Sequence, residues 1–255
     1  SPLTLDVAGI STKTVTRRVA GGWLYAAAGV RVDLSVQENV VATRGEDSLC
    51  EIDDIDYEDQ SKRFQLIGIR QAYELAERAL ASGQHFDLLL CDCPLLLNRS
   101  MVAPEEGARY AALRKTYQTT VEAISQFWRE HRDKLFPWNR QGPVLAGLAS
   151  ERFGAIINVS QQDLRTEEGR RHVLHLDELA PEPLQRLAGV HATIAGVGER
   201  RFINGILGSF TRTSAFRMNT QTPRMEPHEV ASGGVVGLHY CAGPGTQPKL
   251  LQLIG

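Results

Sequence analysis

The stretch Phe86-Asp87-Leu88-Leu89-Leu90-Cys91-Asp92 constrains the fold more than any other part of the chain. Its apolar residues follow one another without polar alternation, so a strand formed here must be covered on both faces, as in sheets with crossover connections. The preceding segment, 61–82, lacks proline and is rich in strong helix formers. Phe64, Gly68, Ala72, Leu75 and Ala79 recur there at helical spacing. A helix leading directly into a doubly covered strand predicts a parallel crossover and places the chain in the α/β class.

The other segments extend this pattern. Leu3-Thr4-Leu5-Asp6-Val7 alternates and stops at Gly9, which predicts a short strand with Asp6 near its tip. Strands are expected at 23–34 and 36–43, completing an antiparallel meander. A long helix is expected over 104–131, its seam formed by Tyr110, Leu113, Tyr117, Val121, Ile124 and Trp128 and its end set by Pro137. Further strands are predicted at 144–148, 192–197, 235–240 and 249–254, the last two joined by Gly243-Pro244-Gly245. The order β-β-β-α-β-α-β with more β structure behind it predicts a mixed sheet flanked by helices, in one domain spanning 1–255.

Charge narrows the partners. With 28 basic and 30 acidic residues, the net charge of -2 supplies no global attraction for nucleic acid, so any DNA contact requires a local basic groove. Segment 46–59 carries eight acidic residues and no basic one, which predicts an exposed edge strand or a solvated loop. Four cysteines are too few for a secreted disulfide scaffold and suit a reducing cytoplasm. No apolar run approaches the roughly 18 residues that cross a bilayer. The chain opens at Ser1, close to its first apolar strand, a start compatible with a position inside a longer polypeptide.

Asp6 and Asp92 each follow an apolar strand segment. A carboxylate buried in such a place costs several kcal/mol unless it is paired or bound to a cation. Two readings stay open: caps for the following turns, or oxygen ligands converging on Mg²⁺ or Mn²⁺. A two-ion centre for phosphodiester hydrolysis would need further carboxylates, and the helix before Asp92 offers Glu74 and Glu77.

Leu5-Asp6-Val7-Ala8-Gly9-Ile10-Ser11 resembles the strand with Asp-Gly-Ser that opens nucleases of the NurA family, with two residues interposed between the aspartate and the glycine. Arg70-Gln71-Ala72-Tyr73-Glu74, continuing into the strand that ends at Asp92, is similar to the family's Arg-x-x-x-Glu helix and its strand ending in Asp-Gly, with Cys93 in place of the glycine. Gly142 to Ala149 resembles a strand that in the family leads to a lysine, absent here. Thr211-Arg212-Thr213-Ser214-Ala215-Phe216 is similar to the family's Arg-Thr/Ser-x-x-Phe segment. Lys249-Leu250-Leu251-Gln252-Leu253 is similar to its closing strand, where Gln252 replaces a commoner acidic residue.

The resemblance implies a ribonuclease H-like fold and Mn²⁺- or Mg²⁺-dependent DNA hydrolysis. It further implies a homodimer and a hexameric ATPase partner of the HerA type, in DNA end processing or in defence. It implies Asp6, Glu74 and Asp92 as metal ligands and an assisting histidine late in the chain, His239 being the best placed and His228 the alternative; among the basic residues that could line a groove, Arg212 is expected to contact DNA. The competing expectation, supported by the missing glycine and lysine, is a non-catalytic assembly or DNA-clamping subunit of the same fold. Endonuclease V-like chemistry is a third.

Cys91 and Cys93 form a C-x-C without a second Cys or His pair at zinc-site spacing, and read as small residues in and beyond a buried strand. His172 and His175 lie in a region read as strand, where they point to opposite faces.

Overall fold

The computed structural model describes residues 4–20, 22–38, 40–55, 60–95, 97, 110–149, 203–205, 207–218 and 235–254. The expected strand at 192–197 and the two histidines at 172 and 175 lie outside these residues. The chain packs as two compact units, one comprising 1–149, 220–236 and 252–255, the other 150–219 and 237–251.

In the first unit three strands of 16 residues each, β1 (Thr4–Val19), β2 (Gly22–Gln37) and β3 (Val40–Ile55), form an antiparallel meander. They run well past the lengths the sequence suggested. Alternation continues through Thr12, Thr14 and Thr16 in β1, and β-branched threonine suits a half-covered pleated surface. Helix α1 (Gln60–Ala81) then crosses to β4 (Leu88–Cys91), which pairs in parallel with β1. Helix α2 (Ala111–His131) leads through a short 3-10 turn, Arg132–Lys134, to β5 (Val144–Ala149), parallel to β4. The strand order here is β3-β2-β1-β4-β5, with the acidic β3 at the edge as its charge predicted. The second unit carries β6 (Phe216–Met218), most of β7 (Val235–Tyr240) and the first half of β8 (Lys249–Ile254), in the order β8-β7-β6.

Helix α1 covers one face of the meander along the stripe expected from its sequence. Phe64, Gly68, Ala72, Leu75 and Ala79 are all buried. Close approach depends on two glycines: a β-carbon on Gly68 would meet Thr12 Oγ1 at 2.9 Å, and one on Gly29 would meet Leu75 Cδ1 at 3.0 Å. The rings of Tyr25 and Phe64 meet at a tilt, centroids 5.1 Å apart, in a cluster with Ala27 and Ile67. Full burial of each such large side chain contributes on the order of 1.5–3 kcal/mol.

Helix α2 departs from its expected seam. Its buried residues are Leu113, Thr116, Thr120, Ile124, Phe127, Trp128 and His131, while Tyr117 and Val121 are only half-buried. Two threonines can line the buried face because their hydroxyls are satisfied within the helices. Thr116 Oγ1 donates to the Ala112 carbonyl at 3.0 Å, and Thr120 Oγ1 lies 2.8 Å from the Thr116 carbonyl and 3.2 Å from that of Leu66 in α1. None of the described helices is long and apolar enough to cross a membrane.

Candidate functional site

Parallel pairing of β1 with β4 fixes where the two aspartates stand. Val7 pairs with Leu88 and Ile10 with Cys91. The Asp87 amide donates to the Asp6 carbonyl at 2.8 Å, and the Asp92 amide donates to the Ile10 carbonyl at 2.7 Å. Asp6 therefore sits beside the beginning of β4 and Asp92 beyond its end. Five residues of strand separate the two levels, about 16 Å at roughly 3.3 Å per residue. This corrects the expectation that they converge. The reason is strand length: β1 continues 13 residues past Asp6, to Val19, so Asp6 is not at a strand tip.

Asp6 is held by structural partners. The Ser35 hydroxyl hydrogen-bonds its carboxylate and, with the Arg44 guanidinium 2.8 Å from Oδ1, holds its pKa below the ordinary carboxylate value against the opposing effect of desolvation. Its backbone N–H donates to Asp87 Oδ2 at 2.8 Å, a strand-entry contact between β1 and β4.

Asp92 has a different setting. Its side chain is exposed at the carboxyl end of β4, the rim where crossover sheets gather their ligands. Ser11 Oγ donates to Asp92 Oδ2 at 3.2 Å. The turn that follows is firmly anchored: the Leu95 N–H donates to Gln252 Oε1 at 2.7 Å, and Tyr73 Oη donates to the Leu95 carbonyl at 3.1 Å. Both supporting side chains are buried, Gln252 fully so. Desolvation pushes the Tyr73 hydroxyl well above its ordinary pKa, keeping it a neutral donor. Cys91 and Cys93 are buried and free, and hydrogen bonding to Cys91 together with burial drives the Cys93 thiol well up, as befits a packing residue.

Glu74 does not join Asp92. Arg78 lies 3.1 Å from Glu74 and 3.4 Å from Asp47, and Arg70, one turn before Glu74, pairs with Glu51. Arg70, Glu74 and Arg78 thus form a row facing β3, whose Asp47 and Glu51 they meet. Strand β3 lies three positions from β4 in the sheet, about 14 Å at roughly 4.8 Å per strand. Helical spacing rotates Glu74 away from the flank that Tyr73 presents to the Asp92 turn.

In the second unit, His239 is buried in β7, its N–H donating to Thr213 Oγ1 at 3.0 Å and its carbonyl accepting from the Thr213 N–H at 2.9 Å. Arg212 is exposed, bridges to Tyr240 and donates from Nη1 to the Thr213 carbonyl at 3.2 Å. The supporting groups Ser11, Ser35, Arg44, Tyr73 and Asp87 were not singled out from the sequence, since Tyr73 acquires its role only through the docking of α1 and the others only through the sheet register.

An antiparallel meander joined by a crossover helix to a parallel strand gives an α/β fold with a ribonuclease H-like mixed sheet. The fold is NurA-like. The NurA nuclease from Sulfolobus solfataricus matches 100% of this chain over 69% of its own, with a TM-score of 0.55 and 11% identity. A crystal structure of NurA bound to dAMP and manganese is also similar, covering 100% of this chain and 78% of its own at a TM-score of 0.44 and 12% identity. No protein-family profile matches the sequence, and no curated protein matches it either.

Proposed function

We propose that the chain is a DNA nuclease, hydrolysing phosphodiester bonds at the rim beyond β4, with Asp92 as its central carboxylate. The observation that carries this reading is the position of Asp92, exposed at the carboxyl end of a parallel strand beside β1, in a fold that matches the NurA nuclease along the whole chain. Asp92 is an oxygen donor suited to Mn²⁺ or Mg²⁺. Among the described residues, however, only Asp92 of the three proposed ligands stands at this rim, and one carboxylate with a serine hydroxyl does not complete a two-ion centre. Asp6 is assigned a structural role, Glu74 no metal, His239 an auxiliary role and Arg212 a DNA contact.

The same reading includes a homodimer, a HerA-type ATPase partner and work in DNA end processing or defence within the cytoplasm, with 1–255 acting as one functional module. Support for self-association is an apolar patch on the sheet face turned away from α1. There Val15, Leu24, Val30 and Ile52 are 67%, 41%, 42% and 70% exposed.

A second reading is favoured by a specific observation: the separation of Asp6, Glu74 and Asp92 suits a non-catalytic assembly or DNA-clamping subunit. Cleavage of linear duplex and single-stranded DNA with Mn²⁺, with and without the ATPase, separates the two. The nuclease reading expects cleavage by the wild type, its loss in Asp92→Asn and its retention in Asp6→Asn. DNA binding without cleavage under every condition would establish the clamp instead. Equal loss in both variants would show that Asp6 takes part in the reaction.

A further inference from the structure

We propose that Glu77, Glu130 and His131 form a binding site for a divalent transition-metal ion, with Zn²⁺ the best match, where α1 and α2 end together. One ligand atom from each residue lies within 4.8 Å of the others. Glu77 comes from the last turns of α1, and Glu130 and His131 close α2. Neighbouring residues of a regular helix point about 100° apart. Convergence of Glu130 and His131 is possible because the backbone leaves the helical region at His131, with φ -123° and ψ -5°.

The imidazole supplies an independent reason to expect an ion. His131 is 7% exposed, packs against Phe127 at 5.4 Å, and has its Nε2 buried without a hydrogen-bond partner among the described residues. Glu77 Oε1 is 3.6 Å from that nitrogen, too far for a hydrogen bond. It is close to the roughly 3.4 Å that separates two ligands of a tetrahedral ion bound at about 2.0–2.1 Å. Glu130 is oriented from outside, its Oε1 accepting from Gln126 Nε2 at 2.9 Å, the kind of support that ligating carboxylates receive.

One imidazole nitrogen with two carboxylates favours zinc over magnesium, which prefers all-oxygen octahedral shells. A fourth position is left for water. Lys134 Nζ lies 3.3 Å from His131 Nδ1. When Nε2 binds metal, Nδ1 carries the ring proton and can no longer accept, so the exposed Lys134 side chain swings into solvent. The bound ion pins α1 to α2 at the end of the sheet where β4 and β5 begin, away from the Asp92 rim.

The test uses the whole chain, stripped with EDTA. Zn²⁺ should bind with 1:1 stoichiometry in calorimetry and raise the melting temperature by several degrees, reversibly on chelation. Co²⁺ in its place should give visible d–d bands of a nitrogen- and oxygen-liganded ion. Glu77→Gln and Glu130→Gln should each weaken zinc binding at least tenfold, with Glu122→Gln, exposed on α2, binding as wild type. Absence of zinc uptake by the wild type, or unchanged affinity in both Gln variants, overturns the proposal. So does an intense near-ultraviolet sulfur-to-cobalt band, which would put the ion on cysteine. If a Gln variant fails to fold, the wild-type stoichiometry and cobalt spectrum decide by themselves.

Discussion

Replacing Gly147 by alanine should disturb the Asp92 turn directly. Gly147 lies in β5 beside Cys91, and the chain leaving Asp92 crosses immediately over it. A β-carbon added there would stand 2.6 Å from the Cys93 carbonyl oxygen, 2.8 Å from Leu95 Cγ and 3.0 Å from the Leu95 nitrogen. Two of these atoms are backbone, and Leu95 is held from both sides through Gln252 and Tyr73, so no flexible side-chain end can yield. Overpacking of a fixed site costs about 1–3 kcal/mol, and the upper half of that range applies because the Leu95 N–H must lengthen its bond to Gln252 or the turn must lift. For a domain of this size that is a fall in melting temperature of roughly 4–12 °C. Gly9→Ala is the control, since its β-carbon would meet nothing nearer than the Val32 carbonyl at 3.7 Å. Urea and thermal unfolding of both variants measure the difference. A loss below about 1 kcal/mol in Gly147→Ala, or an equal loss in the control, would show that the turn accommodates a methyl group and that its anchoring is looser than described.

Three further outcomes follow from the same structure. Because Ser35 and Arg44 lower the Asp6 pKa, the ionised carboxylate stabilises the fold above its unfolded pKa, and that contribution is lost as pH falls through the folded value. Urea midpoints of wild type and Asp6→Asn should accordingly differ at neutral pH and draw together in acid, and a constant difference would contradict the pairing. Asp33→Ala should destabilise by about 3–5 kcal/mol, since Asp33 and Arg31 are buried and joined by contacts of 2.9 and 3.1 Å, leaving Arg31, among the described residues, with Asp47 at 3.8 Å; chemical denaturation measures it, and a loss under about 1 kcal/mol would mean that solvent or Asp47 replaces the partner. DNA affinity should fall steeply with salt despite the net charge of -2, and Arg212→Ala should reduce the slope by about one; filter binding across a salt series would expose an unchanged slope.

The sequence by itself determined the elements whose periodicity reports burial. The stripe through Phe64, Ala72, Leu75 and Ala79 located α1 to within a residue at each end, and the unbroken apolar run located β4. Residues 46–55 of the acidic segment lie in the edge strand, one of the two placements its charge allowed, because a row of carboxylates must reach solvent or arginines. Tertiary structure alone decided the site. Hydrophobic pattern shows which face of a strand is buried but not where along it a neighbour pairs, so it could not reveal that Asp6 stands level with Asp87 while Ser11 stands level with Asp92. On α1, neighbouring residues face opposite flanks: Tyr73 reaches the Asp92 turn, whereas Glu74 joins the arginines facing β3. Only the docking angle of the helix assigns those flanks. The turn's other anchor, Gln252, lies 157 positions from Leu95 in the chain, and local sequence carries no record of a contact that distant. Register and docking angle arise from summed packing over whole surfaces, and they set the place of every carboxylate.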